Sequence, residues 1–232
     1  MVLTLPIREV IAATPRARIV RLDLDGRPFQ FAAGQAIKVG SRGSETRRPY
    51  SIASAPEDAQ LHHHLELLIG QREDGDADGL VLERGIEVDV EGPLGSFTFP
   101  DHPAEDSFLF VAGGTGIAPL RAMLRHAILG ARQPRHVGLL YSARTPDEFA
   151  FADEFHVLAA GGQIEFRQTI TRETDREWSG SRGRIDRSQL LQIVHGPDTL
   201  CFVCGPRALV DEMPRLLKEI GVADGKIRIE EW

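Results

Sequence analysis

The chain has 232 residues, of which 42% are hydrophobic, and its formal net charge is −7. This length is sufficient for one large or two modest domains with a buried core, while the negative charge, with no basic stripe, argues against nucleic-acid binding. No apolar run approaches the roughly 20 residues of a membrane helix, and the N-terminus lacks a signal-peptide pattern, so we expect a cytoplasmic protein without a membrane span.

Short alternating segments separated by turn residues occupy the chain up to about residue 103. Apolar and polar residues alternate in the predicted strands, which are 17–24, 36–39, 61–69 and 86–90. This pattern is typical of an antiparallel barrel or sandwich. The histidines at positions 62 to 64 fall in one of these strands, where neighbours point to opposite faces, and we therefore expect no bound metal.

Strands and helices alternate in the second half of the chain. The predicted strands are 108–111, 137–141, 163–170, 201–204 and 226–230, and the predicted helices are 118–129, 149–159, 188–194 and 207–220. Such alternation indicates a parallel sheet with helices on both faces, which binds ligands at the carboxyl ends of its strands. A polar, proline-marked stretch at 99–106 separates the two halves, so we predict domains at 1–103 and 104–232.

A glycine-rich turn joins the first strand of the second half to its helix. It contains Gly113, Gly114, Thr115 and Gly116, and Pro119 follows in the first turn of the helix. Glycines allow a phosphate to approach the backbone, and a helix N-terminus offers unpaired N–H groups, so this turn suits the pyrophosphate of a dinucleotide. On its own, a tight strand-to-helix connection explains the glycines equally well.

Two further stretches lie in the first half. In Arg48-Pro49-Tyr50-Ser51 the arginine is suited to a phosphate, the tyrosine to a flat ring and the serine to a ring nitrogen. A strand end with a solvated arginine is the structural alternative. The stretch 91–97 supplies two glycines and a proline for a sharp bend, which is also what an ordinary barrel turn requires.

The fourth stretch is Cys204-Gly205-Pro206, where a predicted strand ends and a helix begins. Sheets of this kind place reactive side chains at that position, although a free cysteine is more often a small apolar residue. Cys201 and Cys204 lie three residues apart in one strand and therefore point to opposite faces, which argues against a disulfide or a shared metal.

Together the four stretches resemble the ferredoxin–NADP reductase family in order, spacing and flanking elements. The stretch beginning at Arg48 matches the flavin motif of that family, residues 113–119 match its nicotinamide-nucleotide loop, and the stretch beginning at Cys204 matches its nicotinamide-side motif. The likeness covers nearly the whole chain. It implies an NAD(P)H oxidoreductase with a flavin-binding β-barrel followed by an α/β nucleotide-binding domain.

The resemblance also implies roles for single residues. Ser51 is placed near flavin N5, Tyr50 on the isoalloxazine ring and Arg48 at the flavin phosphate. The nicotinamide is placed beside Cys204, with Glu230 near it and the terminal Trp232 stacked on the flavin. The remaining expected cofactor contacts are Pro49, Gly92, Gly95, Ser96, Gly205 and Pro206.

The predicted preference between NADPH and NADH depends on positively charged residues. Arg144, Arg172 and Arg184 follow strands of the second half and resemble the arginines that pair with a 2′-phosphate, so NADPH is favoured over NADH. FAD is the expected flavin. The segment 74–80 departs from the family pattern, because it is acidic where a flavin phosphate prefers donors, and this leaves FMN or loosely held FAD as alternatives.

We therefore expect hydride transfer from NADPH (or NADH) to a bound flavin, followed by electron transfer to a ferredoxin, a flavodoxin or an oxygenase component. The first alternative is a flavin reductase that uses flavin as a diffusing substrate. The second is an electron-transfer subunit of a dehydrogenase complex, but such subunits add a cysteine cluster near the C-terminus, and no cysteine follows Cys204 in this chain.

Overall fold

Two six-stranded sheets organise the protein. The computed structural model describes residues 2–71, 77, 79–130, 134–172 and 177–231. Within this part of the chain, one sheet is antiparallel and the other is parallel. The predicted two-domain fold class is thereby confirmed, and the proposed boundary at 103/104 falls in the segment that connects the sheets.

The first sheet closes into a barrel. Its strands are β1 (Val2–Thr14), β2 (Ala17–Asp23), β3 (Ala36–Ser41), β4 (Arg48–Ser51), β5 (His64–Gly70) and β6 (Glu87–Leu94), in the spatial order β4-β3-β6-β1-β2-β5. A bridge between Ile52 and Leu67 joins the two ends of this order. The helix α1 (Pro56–His62) lies between β4 and β5.

The second sheet is parallel throughout. Its strands are β7 (Ser107–Gly113), β8 (His136–Ala143), β9 (Glu165–Ile170), β10 (Ser181–Arg182), β11 (Leu200–Gly205) and β12 (Ile227–Glu231). Their order is β10-β9-β8-β7-β11-β12, so the direction of winding reverses between β7 and β11. The helices are α2 (Ile117–Leu129), α3 (Ala152–Ala160), α4 (Arg187–Leu191) and α5 (Arg207–Glu219). Open parallel sheets bind ligands at such a switch point, at the carboxyl ends of the strands.

Several predicted boundaries were wrong. The strand predicted from residue 61 begins at His64, because residues 61 and 62 end α1 and His63 adopts a left-handed conformation with φ 56°. The histidine triplet therefore spans a helix end, a turn and the first residue of β5, and does not form one strand. The helix predicted from 149 begins at Ala152, and the one predicted over 188–194 is the shorter α4.

The hydrophobic core is continuous between the two sheets. One buried cluster combines Ala53, Leu68 and Phe97 from the first half of the chain with residues of β7, α2 and β11. Phe99, in the connecting segment, packs against Phe110 and Phe202 with ring centroids 6.5 and 5.6 Å away. The barrel and the parallel sheet are thus held together by apolar contact. No helix in the described residues has the length and apolar character needed to cross a membrane.

Candidate active site

The glycine turn lies at the carboxyl end of β7, at the switch point of the parallel sheet. Gly114 has φ +56°, a conformation that favours glycine. A Cβ atom on Gly116 would lie 2.5 Å from the carbonyl oxygen of Cys204, so only glycine allows this approach. Tyr141 on β8 donates a hydrogen bond of 3.0 Å from its hydroxyl to the carbonyl oxygen of Gly114. The turn is therefore held from two neighbouring strands.

The nucleotide loop and the Cys204-Gly205-Pro206 stretch pack against each other. A Cβ atom on Gly113 would lie 2.8 Å from the Cδ of Pro206, and one on Gly205 would lie 3.0 Å from the Cα of Gly113. Residues more than 80 positions apart in the sequence thus form one surface at the ends of β7 and β11. Pro119 is buried in the first turn of α2.

A cleft of about 660 Å³ opens between the barrel and the parallel sheet. Its lining includes Gly113, Gly114, Thr115 and Pro206 of the two glycine-containing stretches, together with the three predicted arginines, Arg144, Arg172 and Arg184. Arg144 and Arg172 follow adjacent strands, and the backbone N–H of Arg172 donates to the carbonyl oxygen of Arg144 at 2.9 Å. None of the three arginines forms an ion pair with another described residue.

The barrel side of the cleft was missed by sequence reasoning. Thr14, Arg16, Leu68 and Gln71 line it from β1, β5 and the turns beside them. Arg16 forms an ion pair with Glu148, which also lines the cleft and belongs to the second half of the chain. No local motif marks these residues, because they come together only when the barrel packs against the parallel sheet.

The flavin motif occupies β4. Arg48 and Pro49 are exposed, while Ser51 is 3% exposed and its hydroxyl oxygen has no hydrogen-bond partner among the described residues. A buried hydroxyl without a partner is costly, and a ligand that bonds to it removes the cost. Tyr50 is 5% exposed and packs with the barrel core, so a stacking role for its ring on flavin stays a prediction.

The stretch 91–97 has a larger structural role than the bend expected from sequence. β6 continues through Gly92 to Leu94, beyond the predicted end at residue 90. A Cβ atom on Gly92 would lie 2.9 Å from the Cγ2 of Ile37, which shows that glycine is needed there for close contact with β3. Gly95 turns the chain with φ +94° and Ser96 is exposed. The predicted cofactor contacts of Gly92, Gly95 and Ser96 stay predictions.

Cys204 and Glu230 are partners in the register of β11 and β12. Burial, together with the nearby charge of Glu230, raises the pKa of the Cys204 thiol. Burial also raises the pKa of the Glu230 carboxyl. At neutral pH the cysteine is therefore an uncharged thiol. Cys201 and Cys204 are both free and belong to core clusters on opposite faces of the sheet, which confirms that they share neither a disulfide nor a face.

Trp232 and most of the segment 74–80 lie outside the described residues. Stacking by the terminal tryptophan, and the weaker flavin binding expected from the acidic segment, therefore stay predictions.

A group of potential metal ligands lies at the amino ends of the parallel strands. Its ligand atoms, which belong to His136, Glu165 and His195, lie within 4.8 Å of one another. The two imidazole rings are stacked in parallel at 3.9 Å, so their in-plane lone pairs do not converge on one ion. We assign no metal there.

Comparison with known proteins places this site in a family. A family model described as the oxidoreductase NAD-binding domain matches residues 110–214. The ferredoxin–NADP reductase B of Sorangium cellulosum is 34% identical over 221 residues, which cover 90% of this chain and 88% of that protein. The chain belongs to the ferredoxin–NADP reductase family. It is accordingly an NAD(P)H-dependent flavoprotein oxidoreductase.

Two other members of this family are informative for function. The reductase component of propane 2-monooxygenase from Rhodococcus jostii is 30% identical over 209 residues, covering 86% of this chain and 55% of that protein. The structure of a cytochrome P450 reductase from Amycolatopsis superposes with a TM-score of 0.83 at 28% identity, covering 100% of this chain and 69% of that one. The chain thus spans only part of the length of these two proteins.

Proposed function

We propose that this reductase takes a hydride from NADPH onto a bound FAD and passes electrons one at a time to a separate redox protein. The observation that carries the proposal is the convergence of the glycine turn and three arginines in one cleft between the barrel and the parallel sheet. A dinucleotide needs both features, because backbone N–H groups suit its pyrophosphate and guanidinium groups suit a 2′-phosphate.

The arginines favour NADPH over NADH for an electrostatic reason. Arg144, Arg172 and Arg184 bring three positive charges to the cleft, and none of them is neutralised by an ion pair with another described residue. Arg16, which also lines the cleft, is already paired with Glu148. A 2′-phosphate would pair with the unneutralised arginines, whereas the 2′-hydroxyl of NADH offers them no charge.

The residues of β4 fit a bound flavin. The Ser51 hydroxyl, which has no partner among the described residues, is suited to a hydrogen bond with a flavin ring nitrogen. The exposed Arg48 guanidinium is suited to the flavin phosphate. Flavin, when bound, accepts two electrons with a hydride and releases them singly. The protein positions the two reactants relative to each other. Ser51 fixes the flavin ring on the barrel side, and the turn at Gly113 to Gly116 fixes the nucleotide on the side of the parallel sheet.

Cys204 and Glu230 shape the nicotinamide side. We propose that the neutral Cys204 thiol packs beside the nicotinamide without attracting or repelling its developing charge. Glu230, whose pKa is raised by burial, lies next to it in the strand register. Its carboxylate would balance positive charge on an oxidised nicotinamide, and at lower pH its carboxyl would donate a hydrogen bond instead.

The acceptor is proposed from the relatives. The Sorangium protein is named a ferredoxin–NADP reductase and the Rhodococcus protein a monooxygenase reductase component. We propose a ferredoxin, a flavodoxin or an oxygenase component as the acceptor of this reductase. A location in the cytoplasm likewise stays a prediction.

Replacing two arginines tests the nucleotide assignment. Arg144→Ala combined with Arg172→Ala should raise KM for NADPH far more than KM for NADH. Hydrogen bonds to charged groups contribute about 1.5–3 kcal/mol each, so we expect a rise of roughly tenfold or more for each arginine. The measurement is steady-state reduction of an artificial acceptor with each nucleotide.

The control is Arg42→Ala, which removes an exposed arginine after β3 that pairs with Glu87, and neither of these residues lines the cleft. It should leave both KM values unchanged. Equal increases of KM for NADPH and NADH in the double variant would contradict a 2′-phosphate site at these arginines.

The acidic segment 74–80 favours one alternative, a reductase that releases its flavin as a product. Desalting of the purified protein separates the two functions. A yellow protein that NADPH bleaches supports a bound flavin. A colourless protein that oxidises NADPH only after flavin is added would favour the flavin reductase.

A further inference from the structure

The helix α2 links the nucleotide loop to the barrel through a row of basic side chains. Arg121, Arg125 and His126 project from α2 toward acidic groups on other elements. Their partners are Glu66 on β5, Asp58 and Glu57 on α1, and Glu154 on α3. Because α2 begins directly after the glycine turn, these contacts connect that turn to the flavin-binding half of the chain.

Arg121 occupies the centre of this network. Its Nη1 donates to the carbonyl oxygen of Ala53 and to Oε1 of Glu66, both at 2.8 Å, and its Nε donates to Oε2 of Glu154 at 2.7 Å. The guanidinium carbon lies 4.3 Å from the centre of the Phe151 ring. Arg121 is 9% exposed and Glu66 is 4% exposed, so solvent screens these contacts little.

The contact with Ala53 reaches the flavin motif. Ala53 lies two residues after Ser51, and its N–H donates to the carbonyl oxygen of Glu66 at 2.7 Å. The N–H of Glu66 in turn donates to the Ser54 hydroxyl at 3.1 Å. The segment that follows Ser51 is thus hydrogen-bonded to β5. Arg121 bonds to both Ala53 and Glu66, which are the residues that connect the two, through its guanidinium group.

We propose that Arg121 is a positioning residue, which sets the separation between the flavin motif at Ser51 and the nucleotide turn at Gly113 to Gly116. This inference rests on the proposed function. Hydride transfer requires the donor and acceptor atoms at close range, and a misplacement of about 1 Å can slow a reaction roughly a hundredfold. A lysine cannot replace the arginine, because a point charge does not bond in fixed directions to a carbonyl and two carboxylates at once.

Arg125 provides a matched control. It pairs with Asp58 and Glu154 at the same interface, and 22% of its side chain is exposed, against 11% for Arg121. Burial raises the pKa of Asp58, but the hydrogen bonds and charge of Arg125 outweigh this and hold it below its ordinary value. Arg125 makes none of the contacts with Ala53 or Glu66 that Arg121 makes. Its loss should therefore weaken the interface without releasing the flavin motif.

The experiment compares Arg121→Met, Arg121→Lys and Arg125→Met in the flavin-loaded protein. Stopped-flow absorbance gives the limiting rate of flavin reduction at saturating NADPH, and titration with NADP⁺ gives the nucleotide Kd. We expect both Arg121 variants to lose roughly tenfold to a hundredfold in limiting rate with Kd nearly unchanged. Arg125→Met should lower the midpoint of unfolding but keep the limiting rate within about twofold of the wild type.

Amide hydrogen exchange supplies a measurement that does not depend on turnover. Exchange should rise in residues 50–54 and 113–117 of the Arg121 variants, and in α1 for Arg125→Met. If Arg121→Met does not fold, Arg121→Lys keeps the charge and carries the same test. A limiting rate equal to that of Arg125→Met would overturn the positioning role. If NADPH fails to reduce the flavin of the wild type, the proposed function fails, and this inference fails with it.

Discussion

The folded protein disfavours the charged form of the Glu230 side chain. Glu230 lies on β12 beside Cys204, and burial raises its pKa above the ordinary value. A carboxyl with a raised pKa binds its proton more tightly in the folded state than in the unfolded chain. Ionisation of Glu230 therefore lowers stability, and this cost appears as the pH rises through the two pKa values and is complete above the folded one.

We expect Glu230→Gln to stabilise the protein at neutral pH. The amide keeps the shape of the carboxyl but carries no charge, so the cost of ionising this half-buried group disappears. The gain should shrink as the pH falls and vanish below the ordinary pKa of glutamate, where the wild-type carboxyl is protonated in both states. Thermal unfolding of both proteins across this pH range measures the effect.

The neighbouring Glu231 is exposed and gives a suitable control, because Glu231→Gln should not produce the same pH-dependent gain. A difference between wild type and Glu230→Gln that grows on acidification would contradict the assignment. The same carboxyl lies at the proposed nicotinamide side, so a more stable variant with slower hydride transfer would indicate that this cost is retained for function.

The glycine turn after β7 is shaped by packing against β11. Gly116 has φ −60°, which any residue can adopt, so alanine would not strain the backbone. Its Cβ would however lie 2.5 Å from the oxygen and 2.6 Å from the carbonyl carbon of Cys204. Backbone atoms in the core of a sheet cannot move aside, and we therefore expect the turn itself to shift.

Gly116→Ala should cost about 1–3 kcal/mol in the free energy of unfolding, which is the usual effect of overpacking. It should also raise KM for both nucleotides, because the displaced turn presents its N–H groups poorly to the pyrophosphate. Urea unfolding and steady-state kinetics measure the two effects. Gly225→Ala, where the added methyl meets nothing within 4 Å, should change neither. A stable Gly116→Ala protein with normal KM values would contradict this role.

The elements around this turn could be predicted because their signals are local. A continuous apolar run, a glycine cluster and an apolar-periodic helix follow one another from β7 to α2, and each signal agrees with the next. The three arginines could be predicted for the same reason, since each follows a strand. The three arginines lie in one cleft because the carboxyl ends of parallel strands lie at the same end of the sheet.

Elements that depend on distant partners could not be predicted in this way. β1 pairs with β6 over residues 2–6 and with β2 over residues 7–14, and a register irregularity between Ile7 and Glu9 interrupts its alternation. The short α1 begins at a proline and buries one residue, Ala59, so its apolar periodicity is weak. Arg16 and Arg121 have no local signal, since the carboxylates that they pair with lie 33 to 132 residues away.

At the scale of the whole molecule, the two sheets share one aromatic cluster. Phe99 follows the barrel in the sequence, and its N–H donates to the carbonyl oxygen of Ala33 in the barrel half at 3.0 Å. Its ring lies among Phe108, Phe110 and Phe202 of the parallel sheet, with centroid distances of 4.9, 6.5 and 5.6 Å. A side chain that belongs to both cores should make the two sheets unfold together.

Phe99→Ala should therefore cost about 3–5 kcal/mol and also separate the unfolding of the two sheets. Trp232 is predicted to stack on the flavin, so it is replaced by phenylalanine in all the proteins compared. The fluorescence of Trp178, which packs against Phe149 beside the parallel sheet, then follows that sheet, while release of flavin follows the barrel. In the wild type we expect the two denaturation curves to coincide, as two-state unfolding requires. In the variant the barrel curve should fall at lower denaturant than the fluorescence curve.

Phe31→Ala is the matched control, because Phe31 is partly buried and packs against the barrel core cluster alone. It should shift both curves to lower denaturant without separating them. Coincident curves in Phe99→Ala would show that the aromatic cluster does not couple the unfolding of the two sheets. The ion pairs of Arg121 and Arg125 on α2 would then explain the coupling. If the two denaturation curves separate in Phe99→Ala while the limiting rate of flavin reduction is preserved, the aromatic cluster and Arg121 have different roles. The aromatic cluster then supplies cohesion between the sheets, and Arg121 supplies the alignment that hydride transfer needs.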